Sequence, residues 1–394
     1  MDLPLSKRVQ KIAASPTLAI TAKAREMKQS GIDVIGLGAG EPDFNTPQNI
    51  IDAAVDSMNK GYTKYTATTG IPELKQAIID KLKQDQFLTY KPSQIFVGTG
   101  AKHVLYCAFQ AILNPGDEVI VPVPYWVTYP EQIKLAGGEP IFVETGFDAD
   151  FKITAANFEQ AVTPKTRAIV LNSPNNPTGM TYSKAELQAI GEVAEKHGIY
   201  IISDEIYEKL YYGDKSDLVS IASLSDALYD LTIVINGVSK AYAMTGWRIG
   251  YAAAAEPIIA VMGRLADHLT SNPTANAQYA AVEAYNGDQS VPESMYQAFE
   301  ERMERFYPIL ESIPGFKPKK PSGAFYFFID VAEAVRLKGF ESADVLADKL
   351  LNDAFVAVVP GSGFGMPDYI RISYATDPAL FEQALNRMKD FMKN

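Results

Sequence analysis

One cysteine, three histidines and two tryptophans among 394 residues leave several chemistries without their usual ligands. Cys107 has no second cysteine to pair with, so no internal disulfide can form, and a reducing cytoplasm is the expected compartment. Its surroundings, HVLYCAFQAIL, read as helix core rather than as the setting of a nucleophile. The histidines make no pair with cysteine or carboxylate at metal-ligand spacing, so no metal is expected. Positive charge is scarce as well. With 36 Lys and Arg against 47 Asp and Glu, the net charge is −11, which argues against nucleic acid or an anionic membrane as partner. An anionic substrate would have to be drawn in by local positive charge. The longest apolar candidate, YAAAAEPIIAVMG, is cut by Glu256 and Pro257 and falls short of the roughly 18 residues of a membrane span. The N-terminal MDLPLSKRVQKIAAS lacks the apolar segment of a secretory leader. No G-x-G-x-x-G opens a first βα unit, which speaks against a nucleotide-binding oxidoreductase, and there is no repeat or low-complexity linker.

What is present is ordinary in bulk: 47% hydrophobic and 21% charged residues, as in soluble globular chains. The length exceeds the size at which one core keeps growing, so two domains are expected. Helical periodicity covers 17–29, 51–58, 72–85, 102–113 and 183–197; short apolar runs lie at 118–123, 139–143, 167–171, 199–203 and 231–235. Alternation of this kind implies crossover connections and an α/β fold with a mainly parallel sheet. After Pro292 the pattern changes to a long amphipathic helix reaching about Leu310, with Pro308 as a possible kink. Strand-like AFYFFID, a helix at 341–351, FVAVV, YIRISYA and a final helix from 378 follow, an α+β unit.

Residues 231–251, LTIVINGVSKAYAMTGWRIGY, concentrate the chemistry. Leu231 to Ile235 is a buried-strand pattern, Asn236 and Gly237 break it, and a β-like run from Arg248 to Ala253 comes next. Lys240 thus sits on a turn between buried strands, where lost solvation disfavours the ammonium and frees the amine as a nucleophile. Taken alone it would be one solvated loop lysine among many. Its company argues otherwise. Gly98–His103 (GTGAKH) is a glycine-rich turn entering a helix, a natural phosphate cradle, and Arg248 offers a guanidinium fork. Asp204 closes the apolar run of GIYIISDEIYE at the strand end, where open α/β sheets place ligands, and a carboxylate there needs a cationic partner. Arg371 lies inside the apolar YIRISYA, where an unpaired guanidinium would be costly.

These motifs fall into an ordered series with AGEPDF (39–44), KYT (64–66), PYWVTYP (124–130), NSPNNPTG (172–179), PSGAFY (321–326) and VVPGSGFG (358–365). The series spans nearly the whole chain and resembles the class I aminotransferases, pyridoxal 5'-phosphate (PLP) enzymes of fold type I, in particular their bacterial aspartate-specific subgroup. The resemblance implies a large domain, 49–290, with a seven-stranded sheet flanked by helices. It also implies a smaller α+β domain from 1–48 and 291–394, and a cytoplasmic homodimer with shared sites. It assigns Lys240 as the covalent cofactor lysine, with Asp204 and Tyr207 as its catalytic companions. Gly100, Ala101, Ser239 and Arg248 would hold the phosphate, helped by Tyr65 of the neighbouring subunit, and Lys102 also belongs to the cofactor-binding set. Trp126 would stack on the ring, and Asn176 and Tyr207 would meet its oxygen. Arg371 would clamp the substrate α-carboxylate with the backbone near Gly40, and Trp126 and Asn176 would line that subsite too. Lys102, next to the phosphate turn, would contact the distal carboxylate of aspartate or glutamate.

The expected activity is amino-group transfer between aspartate or glutamate and 2-oxo acids such as 2-oxoglutarate. The stretch HLTSNPTANAQ carries no arginine that could serve a dicarboxylate instead of Lys102, and Ala13 stands where prephenate-accepting relatives carry a base. Aromatic or prephenate specificity and a C–S lyase acting on cystathionine-type substrates are the competing readings. A PLP-binding regulatory module fused to a DNA-binding domain finds no room before AGEPDF.

Overall fold

The computed structural model describes residues 5–393; part of the leader reading, which concerns residues 1–4, lies outside them. Among the described residues thirteen strands appear in chain order: β1 Ile35–Gly36, β2 Ile95–Gly98, β3 Glu118–Val123, β4 Glu139–Glu144, β5 Thr166–Asn172, β6 Tyr200–Asp204, β7 Thr232–Gly237, β8 Gly250–Ala253, β9 Lys317–Pro318, β10 Tyr326–Asp330, β11 Val356–Ala357, β12 Val359–Pro360 and β13 Tyr369–Ser373. Seven of them form one sheet in the order β2-β8-β7-β6-β5-β3-β4. Every pair from β7 to β4 is parallel, and β8 runs antiparallel to both of its neighbours. The expected mainly parallel seven-stranded sheet is therefore present.

Sheet strands alternate their burial between two helical layers, as the two-residue period requires. Ile95, Val97, Val234, Tyr251 and Ala253 pack with Leu74, Ile78, Ala277 and Ala281 of helices Pro72–Gln86 and Ala275–Asn286. Their neighbours Phe96, Ile233, Ile235 and Ala252 face the other way, onto Val104, Ala108 and Met262 of helices Ala101–Ile112 and Glu256–Asp267. A second sheet, β12-β13-β10-β9, is packed among helix Ser290–Glu311, helix Ala343–Asp353 and the last helix, Pro378–Lys393. β1 pairs in parallel with β11, Ile35 opposite Val356, which ties the N-terminal segment to the C-terminal one.

Two local expectations are corrected. The strand before Lys240 does not stop at Ile235. Asn236 and Gly237 keep their pairing with Tyr251 and Gly250, because a bare glycine lets β7 and β8 approach where a Cβ would meet Gly250 Cα at 2.8 Å. The run after Lys240 is not a strand from Arg248; Arg248 is left-handed (φ 58°) and the strand begins at Gly250. The apolar run at 251–263 conceals the start of helix Glu256–Asp267, opened by Pro257 in its first turn. Helix Ala275–Asn286 is not among the helices read from the sequence, although five of its twelve residues are alanine. Among the described residues no helix is long and apolar enough to cross a membrane, and no cluster of His, Cys, Asp and Glu could hold a metal ion.

Candidate active site

Parallel strands end together, and their carboxyl ends make the floor of a cavity of about 270 Å³. Asn172, Asp204 and Ile235 are register partners on β5, β6 and β7, so the side chains that follow each strand emerge side by side. Lys240 lies three residues past β7. Gly40, Ala101, Lys102, Trp126, Asn176, Asp204, Tyr207, Ser239, Lys240, Arg248 and Arg371 all line this one cavity. Two of the sequence candidates do not. Gly100 adjoins the lining residue Ala101 without lining the cavity itself, and Tyr65 is 92% exposed.

At one end is a cradle for an anion. Gly100, at φ +80°, precedes helix Ala101–Ile112, and no side chain caps the start of that helix. A Cβ on Gly100 would collide with the guanidinium of Arg248, so the glycine is what lets the cation lie against the turn. Arg248 Nη1 donates to the Thr245 carbonyl at 2.9 Å, which fixes the fork on the cavity side.

In the middle, Asp204 is buried and accepts from the Tyr129 hydroxyl at 2.6 Å and from the Ile206 N–H at 3.3 Å. Burial pushes its carboxyl up to about 6, against the lowering pull of those two donors and of Lys240. Lys240 moves the other way. Its amine is lowered to about 8, chiefly by burial with help from Arg248 and Arg371, while Glu41 and Asp204 offset part of the effect. Its Nζ donates to the Gly40 carbonyl and lies 5.9 Å from the centre of the Tyr207 ring. A carboxylate and an amine with their proton affinities pushed toward one another, in one cavity, suit proton transfer at neutral pH.

At the far end, Arg371 is 2% exposed. Nη1 donates to Asn176 Oδ1 and Nη2 to the Gly38 carbonyl, each at 2.8 Å, while Nε has no partner. Among the described residues no carboxylate pairs with it, and it lines the cavity. Asn176 is itself set by Asn172, whose Oδ1 accepts its N–H at 2.8 Å. Lys102 Nζ rests 5.0 Å from the Trp126 ring centroid, and burial, with Arg248, lowers its pKa.

Sequence reading missed Tyr129, Tyr326 and Asn172, although each lies inside a motif quoted above. It also missed Ser15, Thr17 and Leu18, which reach the cavity mouth from the first turn of helix Pro16–Gln29 and its N-cap. Nothing in their local pattern marks them, since their position depends on the β1–β11 pairing across the chain.

The family described as aminotransferase class I and II matches residues 32–388. An aspartate aminotransferase of Bacillus sp. (strain YM-2) is 59% identical over 389 residues, 99% of both chains. The aspartate aminotransferase of Bacillus subtilis (strain 168) is 57% identical, again over 99% of both. Among solved structures, the aspartate aminotransferase of Rhizobium meliloti superposes with a TM-score of 0.95 at 40% identity, covering 100% of this chain and 99% of that one.

Proposed function

The chain belongs to the class I and II aminotransferases, and from that premise we propose that it exchanges the amino group of L-aspartate or L-glutamate with 2-oxoglutarate or oxaloacetate. One observation carries the substrate reading. Two cations, Arg371 and Lys102, line the same cavity as the Lys240 amine, which suits a substrate with two carboxylates. An enzyme of this family uses PLP, and the donor set fits that group. The Gly100–Arg248 cradle suits its phosphate, Asp204 suits a protonated ring nitrogen, and Trp126 offers a flat face above it.

Bound PLP supplies an electron-withdrawing ring that makes the substrate Cα–H acidic. The residues supply the rest. Lys240 would hold the cofactor covalently, and its Nζ, once displaced by substrate, would accept the Cα proton and later give it back. An amine near pKa 8 is a competent base at neutral pH and still able to give the proton back. Asp204 would keep a positive charge on the ring nitrogen, and Tyr207 and Asn176 would donate to the ring oxygen. Ala101, Ser239 and Arg248 would anchor the phosphate. Arg371 takes the α-carboxylate as a bidentate fork beside Gly40, and Lys102 takes the distal carboxylate.

We also propose a homodimer in which Tyr65 completes the partner's phosphate site; its near-complete exposure supports this. Residues 1–48 with 291–394 are proposed to move as one unit against 49–290, a reading supported by the β1–β11 pairing. Purified protein with PLP, 2-oxoglutarate and a panel of amino donors tests the function. Oxaloacetate should form from aspartate at the highest kcat/KM. Thiol release from cystathionine, or a preference for aromatic donors or prephenate, would replace this reading with one of its rivals.

A further inference from the structure

We propose that Tyr326 is a positioning residue of this reaction, its ring setting the Arg371 guanidinium and its hydroxyl setting that of Tyr207. The inference rests on the function proposed above, in which Arg371 meets the substrate carboxylate and Tyr207 meets the PLP ring oxygen. Tyr326 opens β10, fully buried, and its register partner on β13 is Ser373, two residues from Arg371. Residues two apart on a strand share a face, so ring and guanidinium stand on the same side of the small sheet. The Arg371 Cζ lies 4.5 Å from the Tyr326 ring centroid, and the Tyr326 charge distribution opposes the lowering of its pKa by burial. Phe364 supports the same guanidinium at 5.1 Å, but Phe364 has nothing to offer the cofactor side.

The hydroxyl is the second half of the argument. Tyr326 Oη lies 2.8 Å from Tyr207 Oη, and this is the one hydrogen bond found for either hydroxyl among the described residues. A Cβ on Gly40 would come within 2.9 Å of the same oxygen. The Tyr326 hydroxyl therefore sits where the 38–40 loop, the 204–210 turn and β10 meet, against the very glycine whose carbonyl accepts from Lys240. A phenylalanine would fill this space equally well, so packing alone does not call for the oxygen. Tyr207 has a single O–H. When that proton is directed to the PLP ring oxygen, Tyr326 must be the donor to Tyr207, and a phenol that accepts one hydrogen bond donates a stronger one. Tyr326 thereby couples the carboxylate clamp to the hydrogen bond on the cofactor.

Two substitutions separate the two effects. Tyr326→Phe keeps the ring and removes the donor. The ring oxygen then becomes more basic, so the pH midpoint at which the absorbance of the PLP-loaded protein changes should rise by about half a unit, a roughly threefold change in proton affinity. KM for aspartate should stay within about twofold. Tyr326→Leu removes the ring as well, and should raise KM for aspartate and for alanine alike by about fivefold, since both carry the α-carboxylate. An unmoved midpoint in Tyr326→Phe, beside a wild-type protein that titrates normally, overturns this inference alone. So does a rise in KM for Tyr326→Phe as large as its change in midpoint. Wild-type protein that takes up no PLP overturns the underlying function together with it. Should Tyr326→Leu fail to fold, the phenylalanine variant decides.

Discussion

Tyr129 donates its hydroxyl hydrogen to Oδ2 of Asp204 across 2.6 Å, with both side chains buried. Burial drives the carboxyl upward, and this phenol is the largest force holding it down. Tyr129→Phe removes the donor while keeping the ring against Trp126 at its near-perpendicular 82°. Asp204 should then hold its proton to higher pH, by about one unit for one hydrogen bond to a charged group. The acid limb of the pH dependence of kcat/KM for aspartate should move up accordingly. A limb that stays in place means that Tyr129 does not govern this carboxylate.

The same burial makes a prediction for stability. In the fold the Asp204 carboxyl titrates at about 6, against an ordinary value of 3.8, so its ionisation opposes folding. The cost is absent below about pH 4, grows as pH rises through the interval to 6, and is constant above it. Cofactor-free Asp204→Asn escapes this cost and retains an oxygen for the Tyr129 hydroxyl. Its stability relative to cofactor-free wild type should therefore improve from pH 4 to 6, by up to about 3 kcal/mol. Urea denaturation of both proteins at a series of pH values checks it. A difference independent of pH would show that Asp204 does not titrate there.

Lys240→Ala removes both the covalent link and the base. Turnover of aspartate should fall by more than the roughly 10²- to 10⁴-fold expected of a general base alone. PLP should still bind through the cradle at Gly100 and Arg248. Borohydride treatment of wild type, followed by peptide mapping, should place the label on residue 240. A label on any other lysine removes the centre from the mechanism.

Strand positions were readable because β-branched runs such as Ile199–Ser203 and Thr232–Ile235 admit little else, and because motif residues follow strand ends. Arg371 was readable for the opposite reason, a charge in an apolar run that has to be explained. Tyr129 and Tyr326 were not, since a tyrosine in an apolar strand or helix looks like core until its hydroxyl is seen to meet Asp204 or Tyr207. The left-handed turn at Arg248 was hidden too. Only the approach of Gly100 and Gly250 shows why the chain bends there instead of starting its strand. Long-range pairing, as of Ile35 with Val356, leaves no mark on either local pattern.

Gly100→Ala tests the cradle. The new Cβ would meet the Arg248 guanidinium, and φ at this position is +80°, so the change is both crowded and strained. Strain of this kind costs on the order of 1–3 kcal/mol, and displacement of Arg248 adds the loss of a phosphate contact. The PLP dissociation constant, measured by fluorescence titration, should rise at least tenfold. KM for aspartate, measured at saturating PLP, should change much less. Unchanged PLP affinity would place the phosphate elsewhere in the cavity.

Lys102 is the residue on which substrate choice turns. It occupies the second position of helix Ala101–Ile112, where a cation faces the positive end of the helix dipole, and Arg248 repels it further. Lys102→Ala should accordingly cost no stability and may be read for function without a folding defect. A contact to a charged group contributes roughly 1.5–3 kcal/mol, so kcat/KM for aspartate should fall by about 10- to 100-fold. Alanine has no distal carboxylate to lose, and its kcat/KM should change by less than about threefold. The ratio of the two constants is the decisive quantity, because damage to the neighbouring phosphate turn would lower both together. A common loss for aspartate and alanine would therefore assign Lys102 to the cofactor and leave the selection of dicarboxylates to another group at the cavity mouth.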